Sequence, residues 1–197
     1  MTRNRDLANL GDNTSKLEQQ GLVQIVASSI TKGASGSASV DSKGTVTFTG
    51  TESISLNSIF SSTYKNYLFL FTGTTSSTAA QVLLRLRVSN TDATTGYNQA
   101  GFYWGTSAVA YTRIVNDSGT YIVVVDDVGA SDKNFETTVC SPFLTQSTQT
   151  FSYGNAATVV PFLATGQLDN SISYTSASWL LSTGTMTGQI QVFGYNQ

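Results

Sequence analysis

From residue 45 onward, apolar and polar positions alternate along the chain in short runs that predict β-strands. The runs are rich in Val, Ile, Thr, Tyr and Phe, and clusters of Gly, Asn, Asp and Ser separate them, which is typical of an antiparallel sandwich or barrel. "NDSG" at 116–119 also predicts a hairpin turn between two runs. The predicted strands cover residues 45–49, 53–60, 66–74, 81–89, 97–104, 110–115, 120–128, 135–143, 150–155, 172–181 and 188–196. The sequence therefore predicts an all-β fold, an antiparallel β-sandwich of jelly-roll type.

The first 44 residues follow a different pattern. Ser15 and Glu18 have the spacing of a capping box, and Gly21 fits a helix end, so we expect a helical turn near residues 15–20. Farther along, "LVQIVASSI" can form a strand, and the Gly/Ser-rich segment after it predicts a flexible joint. The expected organisation is an N-terminal arm for attachment or trimer seeding (1–21), a strand with a joint (22–44) and one β-sandwich domain (45–197).

Leucines in the arm recur at a three-four spacing over about two heptads, together with Thr14. This spacing can seed a short coil of several chains, whereas the alternative is a loosely ordered arm with one helical turn. Under the first interpretation, the arm contributes three residues to an oligomer interface: Leu7, Leu10 and Leu17.

The strand predicted at 81–89 carries two arginines on one side. Strand alternation places Val82, Leu84, Leu86 and Val88 on one face, and Leu83, Arg85, Arg87 and Ser89 on the other. An unpaired buried charge costs about 3–5 kcal/mol, so the guanidinium groups must meet water, acidic side chains or another chain. Carboxylates at the end of the strand predicted at 120–128 are candidate partners. Two interpretations stay open: a solvated face, and an oligomer interface that contains Arg85 and Arg87.

Composition narrows the function classes. The 197 residues include 10 basic and 12 acidic side chains, no histidine and one cysteine. Without histidine, the chain lacks the commonest general base and the commonest transition-metal ligand. It also has no basic block for nucleic acid and no apolar run for a signal peptide or a membrane span. We therefore expect no enzymatic activity, no cofactor, no bound metal, no nucleic-acid partner and no membrane insertion.

The sequence offers few catalytic candidates. Asp126 and Asp127 are adjacent on a predicted strand, so they point to opposite faces and cannot flank one glycosidic bond. Glu52 and Glu136 can meet in space, although no second feature supports such a pair. Cys140 is expected to be a small buried apolar residue, because no histidine can activate it.

Aromatic residues are concentrated between residues 97 and 111. A sugar-binding platform needs an exposed ring beside polar groups, and polar side chains occur in the loop that precedes this segment. The alternative is that the rings pack in the core, which is the usual place of alternating aromatic residues and is expected for Trp179. Under the first interpretation, the candidate contact surface comprises Asn90, Asp92, Tyr97, Asn98, Tyr103, Trp104 and Tyr111.

Four stretches carry a resemblance to a known family. "ISLNSIFSSTYKNYLFLFTGT" is similar to an early strand, a turn with a tyrosine and an apolar strand, and "LRLRVSN" with "TGYN" is similar to an arginine-bearing strand and its loop. "ISYTSASWLLSTGTMTGQIQVFGYNQ" is similar to a closing strand pair that ends in G-x-I-x-V-x-G-Y, and "RNRDLANLG" to a leading arm. Together they resemble small β-sandwich virion proteins of tailed bacteriophages, which occur as tail-fibre tips, receptor-binding proteins and capsid or neck appendages, including those of cyanobacterial phages.

The resemblance implies a non-enzymatic, commonly trimeric virion protein whose arm fastens it to the particle while the β domain faces outward. Expected partners are further copies of the chain, other virion structural proteins and, as a candidate, a host-surface glycan. The expected location is the virion, after synthesis in the host cytoplasm without a signal peptide. Two alternatives remain: a free carbohydrate-binding module, and a glycan depolymerase with two carboxylates about 5–10 Å apart.

Overall fold

The computed structural model describes residues 21–104, 111–156 and 160–196, and these residues form two antiparallel sheets. This confirms the predicted all-β sandwich, while the helical turn predicted at 15–20 and the leucines Leu7, Leu10 and Leu17 lie outside the described residues. The strands, in chain order, are β1 (Val23–Ile25), β2 (Ser29–Lys32), β3 (Ser37–Val40), β4 (Val46–Thr51), β5 (Ser53–Asn57), β6 (Asn66–Ser76), β7 (Ala80–Val88), β8 (Thr91–Asp92), β9 (Tyr97–Trp104), β10 (Tyr111–Gly119), β11 (Ile122–Val128), β12 (Lys133–Cys140), β13 (Thr148–Ala156), β14 (Val160–Leu168), β15 (Ser176–Leu181) and β16 (Met186–Tyr195).

The larger sheet has the order β10-β9-β14-β13-β12-β6-β16-β4-β3, and β1 pairs with β16 beyond the end of β4. The smaller sheet has the order β11-β7-β15-β5-β2, and β8 pairs with the last residues of β7. The chain changes sheet repeatedly, including from β4 to β5, β5 to β6, β6 to β7, β11 to β12 and β15 to β16. The hairpins β9-β10 and β13-β14 are inserted between the strands that alternate between the two sheets, and both extend the larger sheet beyond β12.

Period-two alternation leads strands of the larger sheet, such as β16, to bury one face. In β16, Met186, Ile190 and Val192 are buried, whereas Thr187 and Gln189 between them are exposed. This is the pattern of an antiparallel sheet with one solvated face.

Aromatic rings fill the space between the sheets. The Trp179 ring is fully buried, with its centroid 4.6 Å from that of Phe69 and 5.6 Å from that of Phe71. Phe71 in turn stacks on Phe135 at 4.2 Å. The core placement predicted for Trp179 is confirmed.

The segment 22–44 differs from the predicted strand and joint. Its three strands pair with both sheets: β1 with β16, β2 with β5 and β3 with β4. A serine-rich segment can form strands because the hydrogen bonds between neighbouring strands join backbone groups and not side chains. The turn after β3 is fixed by Asp41, whose carboxylate accepts bonds from the amides of Lys43 and Thr45 at 2.9 Å each. These backbone bonds, led by that from Thr45, lower the pKa of Asp41.

One local prediction is wrong, and one strand of the larger sheet was not predicted. "NDSG" at 116–119 is not a hairpin turn, because it belongs to β10, which pairs with β9 in the larger sheet, whereas β11 pairs with β7 in the smaller one. The sequence patterns also missed β14. Pro161 argues against a central strand, yet it lies at the second residue of β14, opposite Asn155 of β13.

Gln99 of β9 covers the free edge of the smaller sheet. Its side-chain Nε2 donates to the carbonyl of Val123 at 2.6 Å, and its Oε1 accepts from the amide of Val123 at 2.8 Å. Both residues are 4% exposed. Leu83, Phe162 and Ala164 form a second apolar cluster with Val123. The inserted hairpins therefore wrap around β11 and satisfy an edge that would otherwise expose unpaired backbone groups.

Candidate functional site

Arg87 is buried on the outer face of the smaller sheet and held within its own chain. Its strand partner is Asp92, across a two-residue hairpin loop in which Ser89 and Asn90 have φ of 48° and 68°, as a type I′ turn requires. Nε of Arg87 lies 2.8 Å from Oδ1 of Asp92, Nη1 donates to Oδ1 of Asn57 at 3.0 Å, and Nη2 donates to the carbonyl of Asn90. With 8% of its surface exposed, Arg87 fastens the hairpin to the sheet.

Arg85 is more accessible. Its Nε donates to the carbonyl of Thr120 at 3.0 Å, and its Nη1 lies 3.7 Å from Oδ2 of Asp92, with 25% of the side chain exposed. Ser178 also donates to Oδ1 of Asp92 at 2.9 Å and contacts the hydroxyl of Ser55 at 2.8 Å. The acid that both arginines meet is therefore Asp92 of the hairpin, and not the carboxylates predicted at the end of 120–128. Their role at an oligomer interface stays a prediction.

The surface predicted around residues 90–111 is only partly assembled. Tyr97 was placed there wrongly: its side chain is fully buried, and its hydroxyl accepts the amide of Leu86 at 2.8 Å. Burial raises the pKa of Tyr97. The physical reason is strand parity, which turns Tyr97 and Gln99 inward. Asn90 is exposed, Asn98 is half-buried, and Asp92 is committed to the arginines. The side chains of Tyr103, Trp104 and Tyr111 lie outside the described residues.

An exposed aromatic surface occurs elsewhere, on the outer face of the larger sheet. Phe151 and Tyr153 of β13 are 47% and 57% exposed, and Leu163 of β14, the strand partner of Tyr153, is 40% exposed. On the other side of Tyr153, its strand partner is Glu136 of β12, which pairs in turn with Leu70 of β6. The ring of Tyr153 is thus flanked by an aliphatic side chain on one strand and a carboxylate on the next.

Tyr153 borders a shallow cavity of about 390 Å³ that spans three adjacent strands. This volume lies within the usual range of ligand sites, about 300–1,000 Å³. Its lining comes from β6 (Leu70, Phe71, Thr72), β12 (Asn134, Phe135, Glu136) and β13 (Tyr153, Gly154, Asn155). Within the described part of the chain, no intramolecular hydrogen bond engages the carboxylate of Glu136, the amide of Asn155 or the hydroxyl of Tyr153.

A β-bulge shapes one end of the cavity. In β6, Thr72 and Gly73 together oppose Asn134 of β12, and Gly73 adopts φ of 58°. The Gly73 amide donates to Oδ1 of Asn134 at 2.9 Å. This bond fixes the Asn134 amide with its Nδ2 donors available to a ligand. Bulges are common beside binding sites because they redirect side chains.

The sequence contained a weak signal for this surface. Phe151 and Tyr153 alternate with Ser152 and Gly154, so one face of β13 is aromatic and the other is small. The usual rule places the rings inside, but here Ser152 and Gly154 face inward, and a Cβ on Gly154 would overlap Phe135. A strand in which small residues alternate with aromatic ones can therefore turn the small residues inward and expose the aromatic rings as a binding platform.

The catalytic candidates are not brought together. Glu52 accepts bonds from the amide and the hydroxyl of Ser35 at 3.0 and 2.5 Å, and these bonds, led by that of the hydroxyl, lower the pKa of Glu52. Glu136 is the one carboxylate that the described part of the chain contributes to the cavity lining. Burial raises the pKa of the Cys140 thiol, which disfavours the reactive thiolate. Within the ranges described, no cluster of three or more acidic, Cys or His side chains is arranged to hold a metal ion.

Comparisons with known proteins assign no family. No family model matches the chain, and no curated protein matches it. Among solved structures, the chain is similar to arcelin-5, a lectin-like defence protein from Phaseolus vulgaris, at 7% identity and a TM-score of 0.22, with 88% of this chain and 98% of that chain covered. A likeness at that TM-score supports no functional argument. In the described ranges, no helix has the length and apolar character that crossing a bilayer requires.

Proposed function

We propose that this chain is a non-enzymatic structural protein of a phage virion, an oligomeric, trimeric fibre or decoration protein that adheres to the host surface. In this proposal the N-terminal arm attaches to other virion proteins, and the β-sandwich faces outward. Copies of one weak contact on each subunit then raise the avidity by about 10²–10⁴ without a strong individual site.

The observation that carries the proposal is the strand order. We assign eight of the strands to a jelly roll. Four of them, in the order β4-β16-β6-β12, lie in the larger sheet, and the other four, in the order β5-β15-β7-β11, lie in the smaller one. Viral capsid and lectin domains are among the proteins built on this fold. Fold analogy alone does not establish function, so the adhesive role draws its further support from the exposed Tyr153 surface and from the phage resemblance.

Light scattering on the full chain, and on a variant lacking residues 1–21, tests the oligomeric part of the proposal. We expect a trimer for the full chain and a smaller species for the shortened variant. A full chain that stays monomeric at all concentrations would contradict it. Binding of the labelled full chain to bacterial cells of several species tests adhesion, and failure to bind any of them argues against that role.

A free carbohydrate-binding module is the second candidate, and the Tyr153 cavity is the observation that favours it. The two candidates differ in assembly, because a free module is expected to be a monomer with and without the arm. The same light-scattering measurement therefore distinguishes them. Under either candidate the Tyr153 cavity remains the place where the described residues offer a ligand both an aromatic ring and uncommitted polar groups.

A further inference from the structure

We propose that the Tyr153 cavity binds an uncharged pyranose residue of a surface glycan, with the sugar ring packed on Tyr153 and its hydroxyls bonded to Glu136, Asn134 and Asn155. This inference rests on the proposed adhesive function and names the ligand class and the site. It assigns the contact to the outer face of the larger sheet, away from the surface predicted around residues 90–111.

The exposed ring supplies the apolar half of the contact. Tyr153 exposes 57% of its surface, so more than half of this residue is accessible to a ligand. The face of an aromatic ring carries partial negative charge, and the C–H groups on one side of a pyranose carry partial positive charge. Stacking therefore suits a sugar better than it suits an extended apolar peptide, which would need a deeper groove.

The polar groups around the ring match the donor and acceptor pattern of vicinal hydroxyls. The carboxylate of Glu136 only accepts hydrogen bonds, the Nδ2 of Asn134 only donates, and the amide of Asn155 does both. A sugar hydroxyl also both donates and accepts. Because Oδ1 of Asn134 is held by the Gly73 amide at 2.9 Å, its Nδ2 is oriented before the ligand arrives.

Charge decides which sugars fit. Among the described residues, Glu136 is the one charged side chain in the cavity lining, and it is exposed beside the ring. A second carboxylate on a bound uronic acid would stand close to it, and like charges in contact oppose binding. Neutral hexoses and N-acetylhexosamines are therefore the expected ligands, and acidic sugars are disfavoured.

The test uses the full chain on immobilised glycans that end in glucose, galactose, mannose, N-acetylglucosamine or glucuronate. We expect the wild type to bind at least one neutral glycan and to bind the glucuronate glycan more weakly. Tyr153→Ala should weaken the neutral binding about tenfold, the usual size of loss when a central aromatic contact is removed. Tyr153→Phe should retain it, because the ring face is kept.

Two further variants sharpen the test. Leu144→Ala is the matched control, since Leu144 is 40% exposed but lies beyond the end of β12 and outside the cavity lining, so its binding should equal that of the wild type. Glu136→Gln removes the charge and should narrow the difference between neutral and glucuronate glycans. Circular dichroism and thermal unfolding would verify that each variant is folded.

The outcomes separate the inference from the function on which it rests. Cell binding that is equal for the wild type and Tyr153→Ala, or wild-type preference for glucuronate, would overturn the inference and leave adhesion standing. Failure of the wild type to bind any glycan also overturns it. Neutral-sugar binding that depends on Tyr153 in a chain that does not bind cells would support the site and contradict the adhesive function.

Discussion

Gln99 is the side chain whose replacement should most directly show how the inserted hairpins hold the smaller sheet. Its amide forms two hydrogen bonds to the backbone of a single residue, Val123, at 2.6 and 2.8 Å. Since β11 is the edge strand of its sheet, these bonds take the place of a neighbouring strand. Gln99→Leu keeps a branched side chain that is one atom shorter and removes both bonds.

The expected cost follows from burial. Gln99 and Val123 are each 4% exposed, so water does not readily replace the lost partner. A buried backbone group left without a hydrogen bond costs about 1–3 kcal/mol, and two such groups cost about 2–6 kcal/mol. Leucine recovers part of this through its apolar surface, which gives a net loss of about 2–4 kcal/mol. This is a large share of a typical stability of about 5–15 kcal/mol.

Urea unfolding followed by circular dichroism measures the effect. With a slope of about 2–3 kcal/mol per molar of urea, a loss of about 2–4 kcal/mol lowers the midpoint by about 1–2 M. Gln167→Leu is the matched control: it replaces the same residue type on the neighbouring strand β14, and within the described ranges no hydrogen bond holds the Gln167 side chain. Its change should stay within about 0.5 kcal/mol.

A Gln99→Leu variant as stable as the Gln167→Leu control would refute this reasoning. It would mean that the edge of β11 is satisfied by other groups and that the wrapping hairpins contribute only apolar contact. A further variant, Gln99→Glu, adds a second check. It can still accept the Val123 amide but turns a carboxylate oxygen toward the Val123 carbonyl, so it should be at least as destabilised as the leucine variant.

Three further measurements test other parts of the structure. Arg87→Met should cost about 1–3 kcal/mol in urea unfolding because it leaves the partner groups of a buried guanidinium without their hydrogen bonds, whereas Arg85→Met, at a partly exposed position, should cost about 0–1 kcal/mol; equal costs would contradict the assigned network. Gly36 and Gly73 have φ of 71° and 58°. Gly73→Ala should therefore show about 1–2 kcal/mol of backbone strain, and Gly36→Ala should lose clearly more, since its Cβ would overlap a backbone carbonyl. Folding lowers the pKa of Glu52, so its stabilisation is present above about pH 4.3 and is lost as the pH falls through the lowered value; the stability gap to Glu52→Gln, measured by thermal unfolding, should close in acid, and a gap that is constant with pH would refute this.

Much of the fold could be predicted from the chain. The strands predicted at 66–74, 81–89 and 97–104 each coincide with an observed strand to within two residues. Their apolar runs and flanking turn residues are local features, so they survive in any arrangement of neighbours. β14 was missed because its proline weakened the local strand pattern. β3 was missed because its serines show no alternation of apolar and polar residues. In both cases the pairing uses backbone groups: β3 pairs with the next strand, β4, and β14 pairs with the preceding strand β13 and with the more distant β9.

The candidate site could be predicted less well. Tyr97 and Tyr153 both alternate with polar or small residues, and nothing local distinguishes the inward ring from the outward one. The neighbours decide it: Tyr97 meets the Leu86 amide inside the sandwich, whereas Gly154 beside Tyr153 leaves the inner space to Phe135. In the same way, the arginine partner Asp92 follows Arg87 closely in the sequence, but its position opposite Arg87 depends on a two-residue turn with positive φ at both positions.

The sequence alone determined that the chain forms β-strands and that it carries no histidine. Those properties follow from residue type and from a period of two, both of which are local. Tertiary structure alone decided which face of each strand is buried, which acid pairs with Arg87, and that Gln99 closes the edge of β11. The reason is that the local sequence leaves the two faces and the two edges of a strand equivalent. The rest of the fold decides which face or edge is covered and which is left to solvent or to a ligand.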